Sequence, residues 1–387
     1  MHLRRFFWFM LVNLLFSWNG TAAAQEAQLR WTFEPVGSGI KPALTLDSQG
    51  VAHIAFVIEA MDGIIGYTSN ESGGWITENI ANGYFYGPVD ITLNPVTDSP
   101  VVAYHDHQDA NFNPALGDEV VALREGHDWR LVTVSHPGHD GWDNSIVVDS
   151  GGFWHTASID PAQFGSTDGV EYATNAYGAE ILVEQIGSGP QPYAFATSIA
   201  IREDGAVGIS YFDSNELDLV YAQRTPGRAG RWTLAVVDSE GDAGRFPSLA
   251  FDSAGVPHIV YYHGDSGAVS HAWRGVDNSW QTENIDTLEN VQISMSGARK
   301  ITALAFDATG TPHAVYSDLD HIVYAIRNGE ERRPWSRRTI VNKPGGLGQL
   351  VELVLDADGL PHITYYEVVS FSPLNGIIMY GNGAVRE

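Results

Sequence analysis

The chain repeats itself. One pattern runs through residues 30–383: an apolar run, a D-x-x-G turn, a second run that begins P-H or similar and ends in aromatics plus an acid, a third run, and a fourth of W-x-x-x-x-V type. The clearest copy spans Ser248 to Asp286 and reads SLAFDSAGVPHIVYYHGD, then AVSHAWRG, then SWQTENID. Gly50, Gly151, Gly205, Gly255, Gly310 and Gly359 mark the period, and a further turn, Asn94-Pro95-Val96-Thr97-Asp98-Ser99, serves without glycine. A period of ~50 residues is the length of a propeller blade rather than of a helical solenoid repeat. Each copy holds four short alternating runs bounded by turn residues, which is one four-stranded blade. The seven turns predict an all-β, seven-bladed β-propeller, and no amphipathic helix is evident.

The fourth runs are Trp75–Ile80, Trp129–Val134, Ile181–Ile186, Trp232–Val237, Trp280–Ile285 and Trp335–Ile340. After the last third run, Ile377–Tyr380, the chain ends without another. The missing match lies at the other end, Trp31-Thr32-Phe33-Glu34-Pro35-Val36. The N-terminal strand is therefore expected to complete the last blade, leaving no open sheet edge.

The D-x-x-G/P-H-I-x-Y-Y-D pattern resembles the bacterial propeller repeats grouped with the sialidase-like (BNR) and propeller-lectin families. That resemblance implies a rigid ring that takes ligands on its loops. The D-x-x-G turns here lie between first and second strands, whereas the sialidase Asp-box lies between third and fourth, and no arginine triad of the sialidase kind is found.

Before the repeats, residues 1–24 read as a signal peptide. Arg4 and Arg5 are followed by an apolar run from Phe6 to Trp18 and by Ala22-Ala23-Ala24 ahead of Gln25. Residues 25–387 are expected to be the propeller, secreted or periplasmic, with no membrane span. Cysteine is absent, which rules out disulfides and thiolate metal sites. The formal charge of −26 argues against nucleic acid and anionic lipid as partners.

Residues shared by most copies are expected to hold the scaffold. His53, His155, His258, His313 and His362 open second strands and are read as bonding a neighbouring blade. Asp47, Asp149, Asp252, Asp307 and Asp356 begin turns whose N–H groups their carboxylates can accept. Trp75, Trp129, Trp232, Trp280 and Trp335 are expected to pack between blades.

A site is sought where copies differ and on the loop face, away from the D-x-x-G turns. Acids close most second strands, namely Asp106, Asp160, Asp213, Asp318 and Glu367, with Glu59 displaced by one and His263 in place of an acid in blade 5. They are read either as turn caps or as a polar ring for a cation or sugar hydroxyls. The long loop His105-Asp106-His107-Gln108-Asp109 of blade 2 should neighbour His136-Pro137-Gly138-His139-Asp140-Gly141-Trp142. His105, His107, His136 and His139 could ligate a divalent ion, zinc or calcium. Tyr84-Phe85-Tyr86 adds aromatics suited to stacking on sugar rings. Lys41, Arg245, Arg299 and Lys300 are candidate clamps for a carboxylate.

Two functions are expected from this. One is binding of an extracellular glycan or protein by the loops. The other is catalysis on a polysaccharide. A histidine–tyrosine–arginine set looks like that of propeller-type polysaccharide lyases, which would make His105, His107 or His139 the base, Tyr86 the acid and Arg245 the clamp. A hydrolase using Asp106 and Asp160 is a variant.

Overall fold

The computed structural model describes residues 29–59, 63–83, 85, 87–106, 117–134, 141–160, 169–186, 196–292, 300–329, 333–371 and 374–385, with only the backbone of Glu59 and Asp160. Each repeat forms one antiparallel four-stranded sheet, and seven such sheets are present. Their inner strands are Ile40–Leu46, Asp90–Asn94, Trp142–Val148, Thr197–Ile201, Ala243–Phe251, Thr302–Phe306 and Leu347–Leu355. Each inner strand touches the next, and that of blade 7 returns to that of blade 1. Among the described residues there is no helix.

Closure is as the sequence implies. Leu29–Ser38 pairs antiparallel with the last strand, Leu374–Val385, in a register that places Trp31 opposite Gly383 and Ser38 opposite Ile377. The first strand of the described chain thus becomes the outer strand of blade 7.

The core lies between blades. Aliphatic and aromatic residues from adjacent sheets form separate clusters at successive seams, because each sheet buries both faces against its neighbours. A third-strand aromatic of one blade meets, edge-on, the tryptophan that opens the outer strand of the next. The pairs are Tyr67–Trp129 at 5.3 Å, Tyr172–Trp232 at 5.3 Å, Tyr221–Trp280 at 5.3 Å, His271–Trp335 at 5.4 Å, Tyr324–Trp31 at 5.2 Å and Tyr380–Trp75 at 5.1 Å. Trp31 takes its place in this series, so the closing strand makes the same contact as the others. The seam of blades 2 and 3 is the exception. There Val121 stands for the tyrosine and Ile181 for the tryptophan, and the surrounding cluster joins aliphatic side chains to the buried Trp154.

The repeated histidines stay within their own blades, contrary to the expectation of a bond to a neighbour. His155 Nδ1 meets the Tyr172 hydroxyl at 2.6 Å, and Nε2 approaches Asp149 Oδ2 at 3.4 Å. His313 repeats this with Tyr324 at 2.5 Å and Asp307 at 3.4 Å. His53 bonds Tyr67, and His362 bonds Tyr380. In blade 5 a second histidine, His271, replaces the tyrosine at 2.9 Å from His258. The two rings are diagonal partners on one face of adjacent strands, which is why they meet. The other aspartate oxygen accepts turn N–H groups, as Asp149 Oδ1 does from Gly151 and Phe153, both at 2.9 Å. Each cassette therefore ties the D-x-x-G turn to the second and third strands. Burial lowers the His155 pKa, so the ring is held neutral.

Around the axis, in blades 2, 4 and 5, the residue four before the turn residue bonds the next blade. Ser198 Oγ accepts the Leu249 N–H at 3.0 Å, Ser248 Oγ that of Leu304 at 3.0 Å, and Asp90 Oδ2 that of Ile146 at 2.9 Å. Lys300 reaches from blade 6 to Glu352 of blade 7 at 2.6 Å and to Asp90 of blade 2 at 3.8 Å. It is a half-buried bolt across the ring, already paired with two carboxylates. Burial pushes the Glu352 carboxyl up to about 7, with Lys300 opposing and Asp90 adding to the shift.

Candidate functional site

The loop face is the end of the ring opposite the D-x-x-G turns. His105 sits near the end of the second strand of blade 2, Ser99–Asp106. Trp142 opens the inner strand of blade 3. Their rings lie 5.5 Å apart at an angle of 45°, so the described ends of the two long loops meet. His105 is only 2% exposed. Beneath them, Gly141 has φ of +84°, and a Cβ there would lie 2.7 Å from the Cα of Glu119. Only glycine lets the Trp142 segment lie this close on blade 2. Glu119 is buried and accepts the Thr156 hydroxyl of blade 3 at 2.9 Å, joining the two blades under the loops.

Phe85 forms an isolated bridge to Asp106 and stands edge-on to Tyr104 at 5.4 Å. At 1% exposure it is a packing residue under the loop rather than an open stacking surface, because the bridge draws its ring inward. Asp106 lies beside it, against Gly83. Tyr84, Tyr86, His107, Asp109, His136, His139 and Asp140 lie outside the described residues, as does Arg299.

Next to Trp142 is a residue that the sequence reading passed over. Asp143 is 3% exposed. Its Oδ2 accepts the Ala196 N–H at 3.4 Å, and its Oδ1 has no hydrogen-bond partner among the described residues. Burial pushes its carboxyl up to about 6, with Lys41 of blade 1 pulling it back. The backbone is also unusual, with φ of 47°. Lys41 at 54°, Ala196 at 70° and Phe246 at 53° share that left-handed region. All four stand six residues before their blade's turn residue. Register shifts in the inner strands of blades 1, 3 and 5 coincide with them. Aligning the copies on the turn would have brought Lys41 and Asp143 to notice as a charged pair at one level of the ring.

The acids that close the second strands are bonded within their own loops or to close neighbours. Asp213 Oδ1 accepts the Asn215 N–H at 2.9 Å. Asp318 Oδ1 accepts those of Asp320 and His321, both at 2.7 Å. Glu367 is bonded by Lys343. His263 stands 3.6 Å from Asp238. Asp160 is described by its backbone alone, paired with Gly169. Arg245 donates to Asp242 at 2.7 Å and lies over the Phe212 ring at 4.6 Å. Its contacts are with blades 4 and 5, not with the His105 and Trp142 pair.

Among the described residues, one group of three side chains could hold a metal ion: Asp318, Asp320 and His321, whose ligand atoms lie within 4.8 Å of one another. Asp318 Oδ1 caps its turn, and Asp320 accepts the Gly345 N–H at 2.6 Å and the Asn290 amide at 2.8 Å.

No protein-family model and no curated protein sequence matches the chain. Solved structures do. A lectin from Burkholderia pseudomallei is similar with a TM-score of 0.59 at 14% identity, over 84% of this chain and 95% of that one. An ulvan lyase, described as representing a new polysaccharide lyase family, is similar with a TM-score of 0.61 at 12% identity, over 92% and 96%. A further polysaccharide lyase gives 0.54 at 8% identity, over 91% of each chain. At these identities the likeness speaks to the fold alone, and the count of seven blades rests on the seven sheets described above.

Proposed function

We propose that this chain is a secreted glycan-binding propeller whose ligand sits on the loop face at the seam of blades 2 and 3. The observation that carries this is the meeting of His105 and Trp142 at 5.5 Å beside Asp143, a buried carboxylate with one oxygen that has no partner among the described residues. The half-buried Trp142 offers an aromatic face suited to sugar C–H groups, and the buried His105 packs against it. It is also the seam that lacks the repeated tyrosine–tryptophan contact. The likeness to a lectin and to polysaccharide lyases agrees with a glycan as the partner. Secretion rests on residues 1–24, and no described helix is long and apolar enough to cross a membrane.

The test is a glycan array followed by titration of the best ligand. Trp142→Ala should weaken binding by at least about tenfold, since an aromatic anchor contributes on the order of 2 kcal/mol. Unchanged affinity would remove the ligand from this seam. A second reading, polysaccharide lyase action, is favoured by the buried Asp143 carboxyl, raised by burial and opposed by the charge of Lys41, since perturbed acids cluster at catalytic sites. Absorbance of an unsaturated uronate product that grows with wild type and is lost in His107→Ala would select it over binding alone.

A further inference from the structure

Each blade ends in an outer strand with one edge that no described strand pairs, so the rim of the ring displays seven such edges. Sheets commonly guard an edge of this kind with charged residues or proline, because its bare N–H and C=O groups invite another strand. Between the residue that opens each outer run and the apolar one that closes it, the four residues read ITEN, RLVT, LVEQ, TLAV, QTEN, SRRT and TFEP in blades 1 to 7. Six of these carry a charge or a proline. Blade 4, Thr233-Leu234-Ala235-Val236, carries neither.

The acid missing from blade 4 has a task where it occurs. Glu78 accepts Trp129 Nε1 at 3.0 Å, Glu184 accepts Trp232 Nε1 at 2.8 Å, and Glu283 accepts Trp335 Nε1 at 2.8 Å. Each also pairs with an arginine of the next blade, Arg124, Arg224 or Arg327. Ala235 holds that place in blade 4, and Trp280 Nε1 has no hydrogen-bond partner among the described residues. Packing between blades therefore gives no reason for the neutral sequence of this strand.

What that sequence does supply is an apolar outward surface. Leu234 and Val236 project from one side of the strand Trp232–Asp238 and are 48% and 55% exposed. The strand pairs regularly with its inner neighbour from Trp232 to Val236. Its flanks carry opposite signs, Arg231 before it and Asp238 and Glu240 after it, with Arg231 and Glu240 exposed. Such a segment complements its own copy. Laid antiparallel about a two-fold axis through Ala235, Leu234 lies opposite the partner's Val236, and Arg231 lies between the partner's Asp238 and the partner's Glu240. In a chain of formal charge −26, a neutral strip is also where two copies meet with least repulsion.

We propose that the outer edge of blade 4 is a docking surface for a second copy of this chain, joined by antiparallel pairing of the two Trp232–Asp238 strands. The result is a closed, isologous dimer in which one four-stranded sheet continues into its twin. A strand of 7 residues a side is small. Standard interfaces use about 20–30 residues a side, so the dimer is weak, with a Kd on the order of 100 μM. The contact lies on the rim and uses no residue of the blade 2–3 seam.

The experiment is sedimentation velocity of the mature chain from about 5 to 500 μM, in about 150 mM NaCl to screen the net charge. The weight-average sedimentation coefficient should rise across that range toward the value of a dimer. Val236→Lys, which sets a charge against the apolar partner strand, should abolish the rise. Arg231→Glu and Glu240→Arg should each weaken association about fivefold or more, since each exposed ion pair occurs twice in the dimer and is reversed in both places. An equimolar mixture of those two variants should recover the wild-type affinity, because every changed residue then meets its opposite. Urea midpoints for each variant separate loss of the contact from loss of the fold. A monomer at every concentration leaves the edge to some other strand and overturns the proposal. So does association unmoved by Val236→Lys, which would place the contact elsewhere. Failure of the mixture to recover what the single variants lose would mean that the strands do not lie antiparallel, and overturns it as well.

Discussion

Tyr172 and Tyr221 form a natural pair for measuring what the cassette contributes. They occupy the same place in blades 3 and 4, are 0% and 1% exposed, and each meets a tryptophan of the next blade edge-on at 5.3 Å. They differ in the hydroxyl's partner, and Tyr172 also has Arg224 over its ring at 5.5 Å, a contact that a phenylalanine would keep. The Tyr172 hydroxyl bonds His155 Nδ1 at 2.6 Å, and that of Tyr221 bonds nothing described. Tyr172→Phe strands an imidazole nitrogen on a residue that is 2% exposed, beyond the reach of bulk water. Leaving a buried polar atom unsatisfied costs about 1–3 kcal/mol. Tyr221→Phe removes a hydroxyl that already lacks a partner, so its effect on the unliganded protein should lie within about 0.5 kcal/mol of zero or be stabilising. Urea unfolding at neutral pH reads both, with midpoints compared at equal slope. Equal losses in the two variants, or a larger loss at Tyr221, would refute the claim that the hydrogen bond, and not the ring, is what the histidine adds.

Asp143 should make stability depend on pH. Its carboxyl is raised from 3.8 to about 6, so the folded state favours the protonated form. The benefit is complete below about pH 4 and is lost as pH rises through 6, so Asp143→Asn should gain on wild type across that interval and level off above it. The plateau is at most about 3 kcal/mol, from roughly two pKa units at 1.36 kcal/mol each; thermal melting from pH 4 to 8 checks this, and a constant difference would contradict it. Trp31→Ala should destabilise by about 2–4 kcal/mol, less than a fully buried tryptophan, and speed proteolysis of the N-terminal strand. Unchanged protease resistance would mean that closure does not depend on the Tyr324–Trp31 contact.

Blade number, strand count and closure were legible because each follows from local chemistry repeated in order. Turn glycines, alternating runs and a displaced tryptophan strand specify the sheet, and right-handed twist with two buried faces leaves a ring as the way to pack such sheets. The structural rank of the repeated histidines, aspartates and tryptophans was legible for the same reason, although the histidine partner was not, since diagonal pairing across two strands depends on register. What the sequence could not reveal depends on distance between copies. Lys300 in blade 6 meets Asp90 in blade 2, and Lys41 in blade 1 acts on Asp143 in blade 3. Chain spacing carries no trace of either, because ring closure sets which inner-strand residues converge on the axis. Burial likewise turned Phe85 from a candidate stacking surface into core, and the loss of one imidazole in blade 4 left the Tyr221 hydroxyl packed against Gly208 with no described partner. Composition and periodicity determine which elements form; the charge and polarity of a site depend on which of those elements the closed ring then presses together and shields from water.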